Sequence, residues 1–98
     1  MNEIKINKRF EWWESAHDEF RQSMELAGFH IYGVSVGKGC HWGEFYTNDE
    51  TFEKINKLIA QDTVIVTNNR KYYISLYTDA LGKTYNKFFF SITKNKDQ

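Results

Sequence analysis

The sequence predicts an α+β domain, with two helices packed on one face of a mostly antiparallel sheet and elements in the order α-β-β-α-β-β-β. Three observations predict it. An apolar stripe recurs at helical spacing through residues 9–27, a T-x-x-E capping box stands at Thr47, and the last third of the chain alternates apolar and polar residues in runs separated by turn signals. Ninety-eight residues make one such domain, residues 1–98, with 94–98 as a charged, flexible tail. A chain of this length buries about two-thirds of its unfolded surface, enough for one core between two layers.

The first helix is expected over Arg9–Ala27, where Phe10, Trp13, His17, Phe20, Met24 and Ala27 recur at spacings of three and four. Glu11, Glu14, Asp18, Glu19 and Glu25 occupy the rest of its surface and read as a solvated face, and Gly28 fits the closing αL position. Phe29–Val36 reads as a strand, Gly37-Lys38-Gly39 as a turn, and Cys40–Tyr46 as the return strand, weakened by Gly43. The capping box then opens a helix to about Ala60, with Phe52, Ile55, Leu58 and Ile59 on its apolar side. Thr63–Thr67 and Lys71–Thr78 form a hairpin about Asn68-Asn69, a pair that tolerates positive φ. Asp79–Gly82 is a turn, and Thr84–Thr93 is the final strand.

Alternation assigns the sheet faces. Phe88, Phe90 and Ile92, with Tyr72, Ile74 and Leu76, are the greasier sets and should meet the helices. Tyr73, Tyr77, Tyr85 and Phe89 then share the opposite face with Lys87.

Composition narrows the function. Net charge is zero, which argues against a strongly basic nucleic-acid binder and against an acidic DNA mimic. Residues 1–50 carry five Lys/Arg against nine Asp/Glu, a balance of −4, and residues 51–98 carry eight against four, a balance of +4. An acidic helix complementing a basic sheet accounts for that split. The single cysteine, Cys40, permits no internal disulfide. The polar start, Met1–Arg9, has no apolar core of a signal peptide, and no apolar run reaches the roughly 18–20 residues of a membrane span. A soluble, cytoplasmic protein is expected. The abundance of Lys, Asn, Ile, Phe and Tyr without any proline suits AT-rich coding, as in a phage, a plasmid or a low-GC bacterium.

Each chemical motif fails on context. Gly33-Val34-Ser35-Val36-Gly37 matches the G-x-S-x-G nucleophile elbow in letters, but it lies in a strand with no helix after it. Gly33 to Lys38 is one residue short of a P-loop and lacks its Ser/Thr, and Trp42 stands where a dinucleotide fingerprint needs glycine. The glycines read as a hairpin that lets backbone approach a neighbour closely. Cys40 and the three histidines lack zinc-ligand spacing, and adjacent Cys40 and His41 point to opposite sides of a strand. His17, within the stripe, reads as a packed, hydrogen-bonded histidine. No catalytic residue, metal site or cofactor is expected.

The aromatic surplus remains. Seventeen residues are Phe, Tyr or Trp, more than so small a core needs. Trp12 lies about 100° from the helix stripe, and Trp42 follows the glycine turn. The leading expectation is a small non-catalytic module that binds another protein, such as a phage- or plasmid-encoded inhibitor of a host protein, through Trp12, Trp42, Tyr73, Tyr77, Tyr85 and Phe89. The alternative is a single-stranded nucleic-acid binder, with those sheet aromatics stacking bases and Arg70, Lys71, Lys83, Lys87 and Lys94 along the backbone. Against it, the run Thr84–Ile92 lacks the RNP1 pattern and the helix order differs from that of an RRM. A homodimer closed through the same face is the third expectation.

Overall fold

In the computed structural model, which describes residues 2–82 and 84–95, the chain runs β1 (Asn2–Lys5), α1 (Ala16–Leu26), β2 (Ile31–Val36), β3 (Trp42–Thr47), α2 (Asp49–Ala60), β4 (Thr63–Val66), β5 (Arg70–Thr78) and β6 (Thr84–Lys94). The expected order is present, and β1 precedes it. The six strands form one sheet in the order β1-β4-β5-β6-β3-β2, antiparallel except for β1 beside β4. β1 is short and polar, and a single apolar residue, Ile4 opposite Ile65, carries it into the sheet. Its charges suit an edge, where they discourage further pairing.

Both helices cover the same sheet face. Phe20 of α1 stacks on Phe90 at 3.9 Å between ring centroids and sits within 5.3 Å of Phe45 and Tyr72. Phe52 of α2 lies 5.1 Å from Phe88, and Ile55 is buried beside it in the same core. Tyr72, Phe88, Phe90 and Ile92 are buried, as their alternation predicts, while Leu76, beside an irregularity in the β5–β6 pairing, is 40% exposed.

α1 starts seven residues later than the stripe suggests. Ser15 is its N-cap and accepts from the Asp18 amide, and Glu14 folds back to accept from the Glu11 amide at 2.7 Å, so residues 11–14 form a turn. Phe10 is still buried, but from a loop. Asn68 accepts from its amide and donates to its carbonyl, both at 2.8 Å, which removes both groups from any helix ladder. Trp13, expected in the core, is 67% exposed. His17 is half-buried, with Nε2 3.0 Å from the Val34 carbonyl oxygen. At the other end Phe29 donates to Met24 and Gly28 to Glu25, a Schellman closure with Gly28 at φ +92°.

Smaller corrections follow the same logic. Thr47 ends β3 with its side chain buried, and Asn48 caps α2 instead, accepting from Thr51 at 2.8 Å. Neither Asn68 nor Asn69 takes positive φ. Their value is in their side chains, since Asn69 donates to the Glu11 carbonyl and Glu19 and so ties the β4–β5 turn to the loop before α1. Lys94 is not tail but the end of β6, opposite Arg70, and Asn95 donates to Asn69 and Thr67. The rest of the expected tail, 96–98, lies outside the described residues, as does Lys83.

One acid of α1 departs from the solvated face. Glu19 is fully buried. One of its oxygens accepts from Thr67 Oγ1 at 2.7 Å and Tyr72 OH at 2.9 Å, and the other accepts from Asn69 Nδ2 at 3.1 Å and pairs with Arg70 Nη1 at 3.2 Å. Arg70 also donates to the Glu14 carbonyl. The cluster clamps α1 to the β4–β5 hairpin.

Gly43 of β3 is buried rather than weak. A Cβ there would fall on the Phe90 ring and 2.6 Å from the Ser35 carbonyl oxygen of the neighbouring strand. Gly43→Ala should therefore cost about 1–3 kcal/mol through overpacking, read as a lower urea midpoint with an unchanged slope. An unshifted midpoint would show that β2 yields freely.

Candidate functional site

The sheet face away from the helices carries an aromatic ladder. Register builds it: Trp42, Glu44 and Tyr46 of β3 stand opposite Ser91, Phe89 and Lys87 of β6, and Phe89 stands opposite Ser75 of β5. On β2, Tyr32 stands opposite Tyr46. Tyr32 stacks near Tyr46 at 6.1 Å, Lys87 Nζ lies 5.5 Å from the Tyr46 ring and 4.5 Å from that of Tyr77, and Tyr77 meets Phe89 edge to face at 5.0 Å. Trp42 completes the run, edge to face with Phe89 at 6.3 Å, and Tyr85 flanks Tyr77 at 6.3 Å. A shallow hollow of about 640 Å³ lies among Trp42, Tyr77, Lys87 and Phe89.

Glycines on β2 and at its end make room for these rings. A Cβ at Gly37 would stand 2.6 Å from Trp42 Cζ2, and one at Gly33 2.8 Å from Tyr46 Cδ2. The indole and the phenol lie on bare backbone, which holds both rings along the sheet. This is the close approach that the glycine pattern predicts, and it is unrelated to the elbow or phosphate motifs.

The ladder's charge is internally balanced. Lys87 pairs with Glu44 at 3.0 Å, and both side chains are mostly covered. The hydrogen bond to Glu44 holds the Lys87 ammonium above its usual lysine range, against an opposing effect of desolvation. At the far end Tyr85 OH donates to Asp79 at 2.8 Å, which raises the Tyr85 hydroxyl above its usual range.

Of the residues singled out from sequence, the fold brings together Trp42, Tyr77, Tyr85, Phe89 and Lys87. Tyr73 and Lys71 lie on the same face farther along β5, Tyr73 opposite Ser91 and Lys71 opposite Thr93. Two residues are not part of the ladder. Trp12 is 83% exposed in the turn before α1, beside a hollow of about 300 Å³ that Asn69, Arg70 and Lys94 also line. Arg70, expected as a surface cation, is turned inward onto Glu19. Sequence reasoning missed Tyr32, Tyr46 and the pairing of Glu44. Alternation from Trp42 would have found Glu44 and Tyr46.

Cys40 is exposed at φ +58° in the turn beside His41. Among the described residues no group of three or more His, Cys, Asp or Glu could hold a metal ion, and no helix is long and apolar enough to cross a membrane. No family model, curated protein or solved structure matches this chain, so its functional reading rests on the chemistry of the site.

Proposed function

We propose that this chain is a non-catalytic protein-binding module, of the inhibitor or adaptor kind and acting in the cytoplasm, whose contact surface is the aromatic face of β3, β5 and β6. The observation that carries the reading is the ladder from Tyr32 to Trp42, in which half-exposed Tyr32 and Trp42 and partly covered Tyr46, Tyr77 and Phe89 surround one neutralised ion pair. Exposed Trp and Tyr bury large area with few rotatable bonds, the composition of interface hot spots.

The same details weigh against a single-stranded nucleic acid. Lys87, the central cation, is spent on Glu44, and Arg70 is spent on Glu19. Lys87 also lies over the rings of Tyr46 and Tyr77, on which bases would have to stack.

Co-purification of the tagged chain from its native host, with nuclease treatment, tests the proposal. A stoichiometric protein partner is expected to survive nuclease. It should be lost with Trp42→Ala or Tyr77→Ala, each costing about 2–4 kcal/mol of binding while circular dichroism stays native. A partner released by nuclease, or one indifferent to both variants, overturns the proposal. So does a dimeric solution mass that Trp42→Ala makes monomeric, because a second copy then occupies the face.

A further inference from the structure

We infer that the hollow beside Trp12, at one end of the sheet, is a second binding site, for a small organic anion that joins a flat ring to one carboxylate or phosphate. Its charge comes from register. Arg70, the first residue of β5, stands directly opposite Lys94, the last of β6, and both fall on the helix side of the sheet with Tyr72 and Ile92. Like charges directly opposite across two strands are destabilising. Glu19 offsets Arg70, at 3.2 Å, but Lys94 is exposed and pairs with no carboxylate among the described residues. The two cations line a hollow of about 300 Å³ with Trp12 and Asn69, and an adjoining one of about 620 Å³ that reaches His41. Among the described residues no Asp or Glu lines either hollow. With Arg70 balanced by Glu19, the charge left over is that of Lys94, and it matches one anionic group.

Trp12 supplies the flat surface. Its indole is 83% exposed and makes no ring contact, cation–π contact or hydrogen bond among the described residues. The backbone on either side of it is nonetheless fixed. Asn68 accepts from the Phe10 amide, Asn69 donates to the Glu11 carbonyl, Glu14 accepts from the Glu11 amide, and Arg70 donates to the Glu14 carbonyl. An exposed ring on a turn so pinned is already placed, which lowers the ordering cost of binding. A flat ring laid on the indole gains stacking contact. The same hollow offers its anionic group the Lys94 ammonium and the Arg70 guanidinium, three of whose five N–H donors engage Glu14 and Glu19. About 300 Å³ is at the small end of ligand pockets and suits one ring with one anion rather than a length of chain.

The test uses a Trp13→Phe/Trp42→Phe background, in which Trp12 is the one remaining tryptophan of three. Its emission is followed while AMP or benzoate is added, with adenosine and benzamide as controls that keep the ring and lack the charge. At least one of the two anions is expected to change the emission saturably, with an affinity that falls as salt rises. Binding of AMP alone assigns a phosphate, and of benzoate alone a carboxylate. The matching neutral control should bind at least about tenfold more weakly. Lys94→Gln should weaken the anion about threefold to tenfold. Trp12→Ala, measured by calorimetry, should weaken it about tenfold. Both side chains are exposed, so circular dichroism should stay native. No response to either anion overturns the inference. So does a neutral control that binds as well as its anion, or binding that both Lys94→Gln and Trp12→Ala leave unchanged. Trp42 is already replaced in this background, so failure here leaves the protein-binding reading of the aromatic face standing.

Discussion

Glu19→Ala is expected to be the most damaging single substitution in this chain, at about 3–5 kcal/mol. Glu19 is fully buried, and its two oxygens serve Thr67, Tyr72, Asn69 and Arg70. Its removal leaves the Arg70 guanidinium, whose side chain is only 14% exposed, without its counter-charge, and takes one acceptor each from Thr67, Tyr72 and Asn69. Domains of this kind hold about 5–15 kcal/mol in all, so the variant should be partly unfolded at moderate temperature. Urea unfolding followed by circular dichroism measures the loss. A double replacement separates the pair from the packing. Glu19→Met together with Arg70→Met should be less destabilised than Glu19→Met alone, because no lone charge remains buried. Additive losses would show that the ion pair is incidental.

The cluster also has a signature in pH. Burial, then the adjacent Glu19 charge, raises the Tyr72 hydroxyl well above its ordinary value of about 10. The folded state therefore holds that proton more tightly than the unfolded chain does. The contribution is whole below about pH 10 and is lost as pH rises beyond it. Tyr72→Phe, which removes the hydroxyl and its hydrogen bond to Glu19, should lower stability near neutrality by about 1–3 kcal/mol and flatten the alkaline fall.

Phe20→Ala is expected to cost a similar amount, about 3–5 kcal/mol, by a different route. Phe20 is wholly buried, stacked on Phe90 at 3.9 Å and flanked by Tyr72 and Phe45 at 5.0 and 5.3 Å. It is the side chain through which α1 holds the centre of the sheet. Truncation leaves a cavity among rings that are themselves anchored on β3, β5 and β6, so collapse into the space is limited. Phe20→Leu should recover much of the loss, since it restores most of the volume. Thermal unfolding of the two variants is the direct comparison. Equal midpoints for Ala and Leu would mean that the aromatic stack, rather than the filled volume, supplies the stability.

Damage to the fold and damage to the open face are separable. Glu19 and Phe20 lie under the helices, whereas Trp42 and Tyr77 lie on the other side of the sheet. Variants of the first pair should lose stability, and variants of the second should lose binding with the fold retained.

The fold was largely legible because periodicity reports which face of an element is apolar. Alternation in β5 and β6 placed Tyr72, Phe88, Phe90 and Ile92 in the core and Tyr77, Phe89 and Lys87 on the open face. Helix ends were less legible. Phe10 and Trp13 continue the stripe of α1 in spacing, but side-chain hydrogen bonds from Ser15, Glu14 and Asn68 captured the backbone groups that a longer helix needs. β1 left almost no signal, because one apolar residue in four is too few to show a period.

The open face shows the same division. By itself the sequence determined that Tyr77, Tyr85 and Phe89 would share the face away from the helices, that the glycines before Trp42 allow close approach, and that no recognised catalytic spacing is present. Tertiary structure alone decided which charges would be available. Glu19 and Arg70 are 51 positions apart, and Glu44 and Lys87 are 43 apart, so neither pairing has a local period to announce it. Register across β3, β5 and β6 brought Glu44 to Lys87 and left Trp42, Phe89 and Tyr77 as a balanced aromatic surface.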